Sequence, residues 1–446
     1  MFKKRKVGFK MLFSLNGVHV PHRKHTADMS ANRMTEVKSV TIPMSMHIGA
    51  PATPVVKVGD LVKVGSLIAE ASSFVSAPIH SSVSGKVTKI SDMLISTGGT
   101  VPAITIESDG EFAPCDDMCA PTVTNREELI EAIKNSGVVG LGGAGFPTHV
   151  KFNVDPSRIE EIVINGAECE PYITSDSLTM TDRVDDMEYA FAAFQKYLGV
   201  KRIVIGIESN KKNAIASMNA LASRMSGVEV KVLPQVYPQG GEKVLVYHTV
   251  KKEIPTGKLP IDVGCIVCNC TTVAAIGTYL KTGMPLVEKC VTVDGGVVNK
   301  PQNVIAPIGT SMEDVFAFCG GLTATPYKTL YGGPMMGIAV PDLSAPILKN
   351  TNAILALTQK EAKLPKTTAC IRCGSCTNAC PFGIDPAAIA RALAKKDAEA
   401  LEDLSVNTCM ECGCCSFICP ANRPLVQNNK LAKLFLREEK AKEANK

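Results

Sequence analysis

A four-cysteine run that occurs twice constrains this chain more than any other feature. The first run reads Cys370-x2-Cys373-x2-Cys376-x3-Cys380-Pro381. The second starts 29 residues after Cys380 and reads Cys409-x2-Cys412-x2-Cys415-x3-Cys419-Pro420. Three thiolates on one short loop can grip three irons of a cubic cluster, while the fourth, carried off by its proline, ligates the other cube. The spacing therefore predicts two [4Fe–4S] clusters with crossed ligation. Cys370, Cys373, Cys376 and Cys419 serve one, and Cys409, Cys412, Cys415 and Cys380 serve the other. Zinc knuckles and disulfides fit less well, because zinc sites draw on pairs of cysteines rather than runs of four. Everything upstream must then supply electrons or take them.

The 446 residues suffice for about three domains. Hydrophobic content of 45% and charged content of 20% are those of an ordinary globular protein. A net charge of +5, dispersed along the chain, gives no footprint for nucleic acid. Seventeen cysteines, many of them needed as thiolates, imply a reducing cytoplasm. The beginning of the chain is basic (Lys3, Lys4, Arg5, Lys6), and the apolar stretch Val7 to Leu15 contains Lys10 and no cleavage site, so it does not read as a signal peptide. No apolar run is long enough to span a bilayer, and any membrane association is expected to be peripheral.

Along the chain, residues 1–35 form a polar segment with His19, His22 and His25 spaced by three; solvated or partner-facing histidines are expected there rather than a metal site. Residues 36–120 read as β structure, with valine-rich runs broken at Gly59-Asp60, Gly65 and Gly85. The pattern VKVGDLVKVG…SAPIHSSVSGKVTKI resembles the flattened barrel of lipoyl and biotinyl carrier domains. The matching hairpin tip, Glu70 to Ser76, holds no lysine to carry a prosthetic group. Residues 121–285 read as an α/β domain: a helix over Arg126 to Asn135, buried parallel strands at Glu161 to Asn165, Arg202 to Ile207, Val228 to Leu233 and Val263 to Val267, and a helix over Met187 to Tyr197. Residues 286–345 form a smaller strand–turn–strand–helix unit. Residues 360–435 hold the clusters, with helices expected at Pro386 to Lys395 and Ala398 to Leu404. Asn428 to Lys446 reads as a basic amphipathic helix, a solvated end whose last residues, 436–446, form a tail.

Gly140-x-Gly142-x-x-Gly145 fits the dinucleotide fingerprint letter by letter, but a helix pattern rather than a strand precedes it, so an ordinary Rossmann site is rejected. Glycines still let backbone N–H groups approach a phosphate closely. Asn165-Gly166-Ala167-Glu168-Cys169-Glu170-Pro171 follows a strand, where α/β sheets bind ligands.

The segments GVVGLGGAGFPTHVK and IVINGAECEPYITSD resemble the FMN- and NADH-binding subunit of respiratory complex I. The full order is barrel, flavin domain, β-grasp-like (SLBB) unit, YGGPMMG at Tyr331 to Gly337, then a helical dicluster ferredoxin domain. That order resembles the RnfC family of Rnf electron-transport complexes. It also resembles the proline reductase-associated electron-transfer protein PrdC, towards which Asn16-Gly17-Val18-His19-Val20-Pro21-His22 leans. The resemblance covers nearly the whole chain. It implies an NADH-dependent oxidoreductase subunit with FMN against Gly140, Gly142, Gly143 and Gly145 and its phosphate neutralised by Lys151. Asn165, Glu168, Asn269, Thr271 and Thr272 would contact the flavin, and Phe146, Glu170 and Glu242 would hold NADH. Leu141 stands where complex I relatives usually carry arginine. A flavin joins a two-electron donor to one-electron clusters, and no residue is needed as general acid or nucleophile. The implied partners are membrane and iron–sulfur subunits of an Rnf-type complex on the inner face of the cell membrane, or else a reductase acceptor. A docking subunit with an empty flavin site is the reading from another class. Cys265, Cys268 and Cys270 read as small buried hydrophobes, Cys414 is left outside the ligand set, and Cys115, Cys119 and Cys169 have no assigned role.

Overall fold

Four short apolar runs build the layer on which the rest is arranged. The computed structural model describes residues 16–95 and 98–444; the basic and apolar stretch 3–15 lies outside them. Strands Val228–Leu233, Arg202–Glu208, Glu161–Gly166 and Cys265–Asn269 form a parallel sheet in that order. Its two central strands are buried nearly throughout, as expected of parallel strands covered on both faces. Helix Val184–Leu198 covers the sheet with Met187, Ala190, Phe191 and Phe194 turned inward and ends at Gly199 in the left-handed region, as helices commonly do. Helix Cys270–Thr282 packs against it. Register sets Asn269 beside Asn165 at the carboxyl end of the sheet, the end where ligands bind in such layers.

The barrel-sandwich unit consists of two small antiparallel sheets between Ser39 and Ser108. Its hairpin tip falls between strands Leu67–Glu70 and Ile79–His80. Lys349, wholly buried, joins this unit to the α/β domain: its Nζ donates to the carbonyls of Pro78 (2.6 Å) and Gly137 (2.7 Å).

The next sheet is larger than the sequence suggests. It runs Ala31–Arg33, Gln302–Pro307, Glu288–Asp294, Ala353–Leu357, Lys328–Tyr331, Ile338–Val340. The unit expected to stop at residue 345 thus recruits Ala353–Leu357, whose five side chains are all buried, as a central strand. It also recruits Ala31–Arg33 from the segment expected to be polar coil, because a parallel ladder to Asn303–Ile305 satisfies that backbone whatever the side chains.

In the cluster domain the helix expected to be a solvated end is a structural wall. Helix Leu425–Ala444 lays Ala432 and Leu436 against Ile389, Leu401 and Val406. Among the described residues no helix is long and apolar enough to cross a membrane.

Candidate functional site

Between Ser136 and Thr148 the chain makes a closed loop. Gly140 N donates to Phe146 O at 2.9 Å, and Val139 bridges Pro147. Thr272 pins the loop from beneath: its Oγ1 accepts from Leu141 N (2.9 Å) and donates to Val139 O. Asn350 Nδ2 holds Gly143 O from the other side at 2.9 Å. Gly145 has φ +73°, a conformation that side chains rarely adopt. At Gly142 space is the limit, since an added Cβ would meet Asn269 Nδ2 at 2.5 Å. Among the described residues, the N–H groups of Gly142, Gly143 and Ala144 find no acceptor within the chain.

These N–H groups border a cavity of about 570 Å³. The glycine loop with Phe146 forms one wall, Asn165, Gly240 and Glu242 a second, and Leu259 to Ile261 with strand residues Cys265 to Val267 and Asn269 a third. Lys151 lies in it, its Nζ donating to Val267 O (2.7 Å) and 3.7 Å from Glu242 Oε1. Asn165 Nδ2 donates to Gly240 O, which fixes the mouth. Asn269 caps helix Cys270–Thr282 by accepting from Thr271 N and Thr272 N and donates to Asp176 Oδ2 at 2.7 Å. A glycine cradle with unspent donors, one lysine and two asparagines at a sheet's carboxyl end suits a phosphorylated, polar-edged ring system.

Nine of the expected flavin and nucleotide contacts therefore share one cavity; Glu168, Glu170, Thr271 and Thr272 lie outside it. Thr271 is buried, hydrogen-bonded to Asp176 and Thr179. Thr272 acts on the loop rather than the cavity. Glu168 turns back to the start of helix Ser175–Asp182, accepting from Asp176 N and from Ser177 Oγ; burial raises its pKa, opposed by Lys24. Glu170 accepts from Met335 N (3.1 Å) and Met336 N (2.8 Å), clamping YGGPMMG, and burial pushes its carboxyl up to about 7. Sequence reasoning passed over Lys24, whose Nζ donates to the carbonyls of Glu168, Glu170 and Ile173 and so holds the NGAECEP loop closed; burial lowers it to about 8. Gly240 and Leu259 to Ile261 also carried no signal, since plain apolar walls resemble core.

The two cysteine loops repeat one backbone. Arg372 and Glu411 occupy the left-handed region just before the second cysteine of each run, and Gly374 and Gly413 do so just after it. Cys370, Cys373, Cys376 and Cys419 line a single cavity of about 430 Å³. Cys380 lies among Cys409, Cys412 and Cys415, close enough for their charges to act on it. Burial pushes Cys380 up to about 11 and Cys415 to about 12, so loading iron there must release protons. Among the described residues no three His, Cys, Asp or Glu side chains converge on a single metal ion. Cys414 is buried beside Tyr237, with its Sγ 3.7 Å from Tyr237 O. Cys265, Cys268 and Cys270 are buried with thiols raised by desolvation, as small core residues.

The second loop abuts the wall of the glycine cavity. Met410 packs on Gly241, between Gly240 and Glu242, and Tyr237 OH donates to Cys412 O at 2.8 Å. Cys169, Met335 and Met410 pack around Cys412 and Cys414. By contrast Cys370 and Cys373 are exposed. The set Cys380, Cys409, Cys412 and Cys415, whose loop abuts the cavity wall through Met410, is the inner one, and the set containing the exposed Cys370 and Cys373 is the outer one.

Fold and site together define a flavin-linked iron–sulfur electron-transfer protein with a complex I-type nucleotide domain. Family models agree along the chain: the RnfC barrel sandwich hybrid domain over residues 13–111, the Nuo51 FMN-binding domain over 133–278, the SLBB domain over 290–339, and the 4Fe-4S dicluster domain over 363–420. A relative in Acetobacterium woodii, the C component of a Na(+)-translocating ferredoxin:NAD(+) oxidoreductase complex, is 40% identical over 94% of this chain and 95% of its own length. Another in Clostridium ljungdahlii, the C component of a proton-translocating ferredoxin:NAD(+) oxidoreductase complex, is 41% identical over 92% of this chain and 91% of its own. In Rhodobacter capsulatus the C component of an ion-translocating oxidoreductase complex is 39% identical over 96% of this chain and 84% of its own. The chain belongs to the RnfC family.

Proposed function

We propose that this chain is the NADH-facing electron-transfer subunit of an Rnf-type ion-translocating ferredoxin:NAD oxidoreductase complex. The N–H groups of Gly142, Gly143 and Ala144, with Lys151, hold the FMN phosphate. Asn165 and Asn269 meet the polar edge of the ring, and Phe146 and Glu242 border the NADH side. When bound, FMN supplies the exchange between a two-electron donor and one-electron clusters. The residues around it position ring and nucleotide, and the apolar wall Leu259 to Ile261 keeps water out. Cys409, Cys412, Cys415 and Cys380 ligate the inner cluster, and Cys370, Cys373, Cys376 and Cys419 the outer one. The outer cavity is rimmed by Arg372, Arg391 and Arg423, with exposed Ile371 beside them, a surface on which an acceptor protein docks at the cytoplasmic membrane face.

The observation that carries this reading is the packing of Met410 on Gly241, which sets the inner cysteine loop directly behind the glycine-loop cavity. The test is a visible spectrum of the reconstituted protein with and without NADH. Flavin bands that bleach on addition of NADH, followed by bleaching of the cluster absorbance, are expected. Iron and sulfide bound in full without any flavin would overturn the proposal.

A further inference from the structure

Helix Leu425–Ala444 brings a buried carboxamide to the inner cysteine set. Asn429, 1% exposed, donates from Nδ2 to Cys409 Sγ at 3.4 Å. Its Oδ1 is buried with no partner among the described residues. Such a group is costly to bury half-satisfied, and turning the amide over would set an acceptor against sulfur. The sulfur therefore fixes the amide, and the amide's one satisfied function is donation to it. One helical turn on, Lys433 donates from Nζ to Cys409 O (3.1 Å) and to Glu411 Oε1 (2.6 Å), while Glu411 N donates to Cys409 Sγ at 3.4 Å. The equivalent cysteine of the first run, Cys370, is exposed and receives no such donor among the described residues.

We propose that Asn429 tunes the reduction potential of the inner cluster through this hydrogen bond. Reduction adds one electron to a cube, with no bond formed or broken, and part of the new charge falls on the ligand sulfurs. A donor on one of those sulfurs stabilises the reduced form and raises the potential. Among the described residues, the bond from Asn429 has no counterpart at Cys370, the equivalent ligand of the other cube. The inner one becomes easier to reduce than its ligands alone would make it. The proposal rests on the assignment of Cys409 to the inner cluster.

The test is an EPR-monitored redox titration of the full chain reconstituted with iron and sulfide. Cys409→Ser marks the inner signal; if it alters neither signal, the ligand assignment falls and the proposal with it. In Asn429→Leu the marked signal should titrate at a lower potential, in Asn429→Asp lower still, with the other signal unmoved. An unchanged inner midpoint at full iron content in either variant overturns the proposal. Should both variants lose iron, pulsed EPR on the wild-type chain carrying 15N-labelled asparagine decides. A coupling of the side-chain nitrogen to the inner signal is expected, and its absence overturns the tuning role while leaving the ligand assignment intact.

Discussion

Replacing Gly142 by alanine tests the cavity at its tightest point. The new Cβ would lie 2.5 Å from Asn269 Nδ2 and 2.8 Å from its Cγ, so the asparagine must move. Asn269 accepts from Thr271 N at 2.9 Å and from Thr272 N at 3.3 Å as the cap of its helix, a role worth about 1 kcal/mol. It also donates to the buried Asp176, and a hydrogen bond to a charged group contributes about 1.5–3 kcal/mol. With partial relaxation the displacement costs about 2 kcal/mol, all of it set against FMN binding if the native cavity must be restored to admit the ligand. That corresponds to a roughly 30-fold rise in the FMN dissociation constant, at about 1.4 kcal/mol per tenfold. Fluorescence-quenching titration of deflavinated protein measures it. Gly99→Ala is the control: it lies in the barrel unit away from the cavity lining, its Cβ meets nothing within 4 Å, and wild-type affinity is expected. Equal affinities for the two variants, with equal iron content, would refute the reasoning.

Three further outcomes follow from the same geometry. Lys151→Ala should lower FMN retention through gel filtration while iron content stays normal, because the lysine lies in the cavity and touches no cysteine loop. Cys380→Ser should damage the cluster of the second run and spare that of the first, seen as loss of one of two EPR signals; loss of the other would reverse the crossed ligation. Lys349 has its pKa lowered by burial from 10.5 to about 7, and two N–H donors suffice for its two carbonyl partners. Between about pH 7 and 10.5 the unfolded chain binds a proton that the native chain lacks, so stability should rise with pH in that window and be independent of this group below it. The difference in unfolding free energy between wild type and Lys349→Met should grow in favour of wild type from about pH 7 to 9.5, and a difference that does not change with pH would refute the assignment.

Legibility from sequence followed the range of the interaction. The cysteine runs, the glycine loop and the strands at Glu161–Gly166 and Arg202–Glu208 are local patterns, and each was readable because its residue types have little alternative use. Glu168 and Glu170 lie outside the glycine-loop cavity for a physical reason. Acidic residues after a strand can face a ligand or close their own loop; the Glu168 carboxylate is turned back by Asp176 N and Ser177 Oγ on the next helix, and that of Glu170 by the amides of Met335 and Met336, 165 and 166 residues away. The terminal helix carries so many charges that Ala432 and Leu436 do not stand out, although both are core. Strand Ala31–Arg33 gave no sign because three residues are too few for a period, and its backbone ladder is supplemented only by polar contacts of Asn32 with Gln302 and of Arg33 with Glu288, some 255 to 270 residues away.

The amino-terminal segment has a consequence for how the chain is made. Within residues 18–33 it bridges Tyr237 beside the inner cysteines, gives His22 O to Tyr172 N, buries Thr26 against Thr174, and pairs Ala31–Arg33 with Asn303–Ile305. These partners lie about 150 to 275 residues further along. Synthesis delivers the segment first, yet its sheet pairing exists only after residue 305 has left the ribosome, at about 5–20 residues per second. Such high-separation contacts close late and slow the final approach to the native state. The strap can therefore seat only once residues 172 to 305 are in place, and until it docks both the NGAECEP loop and the edge of the six-stranded sheet remain open.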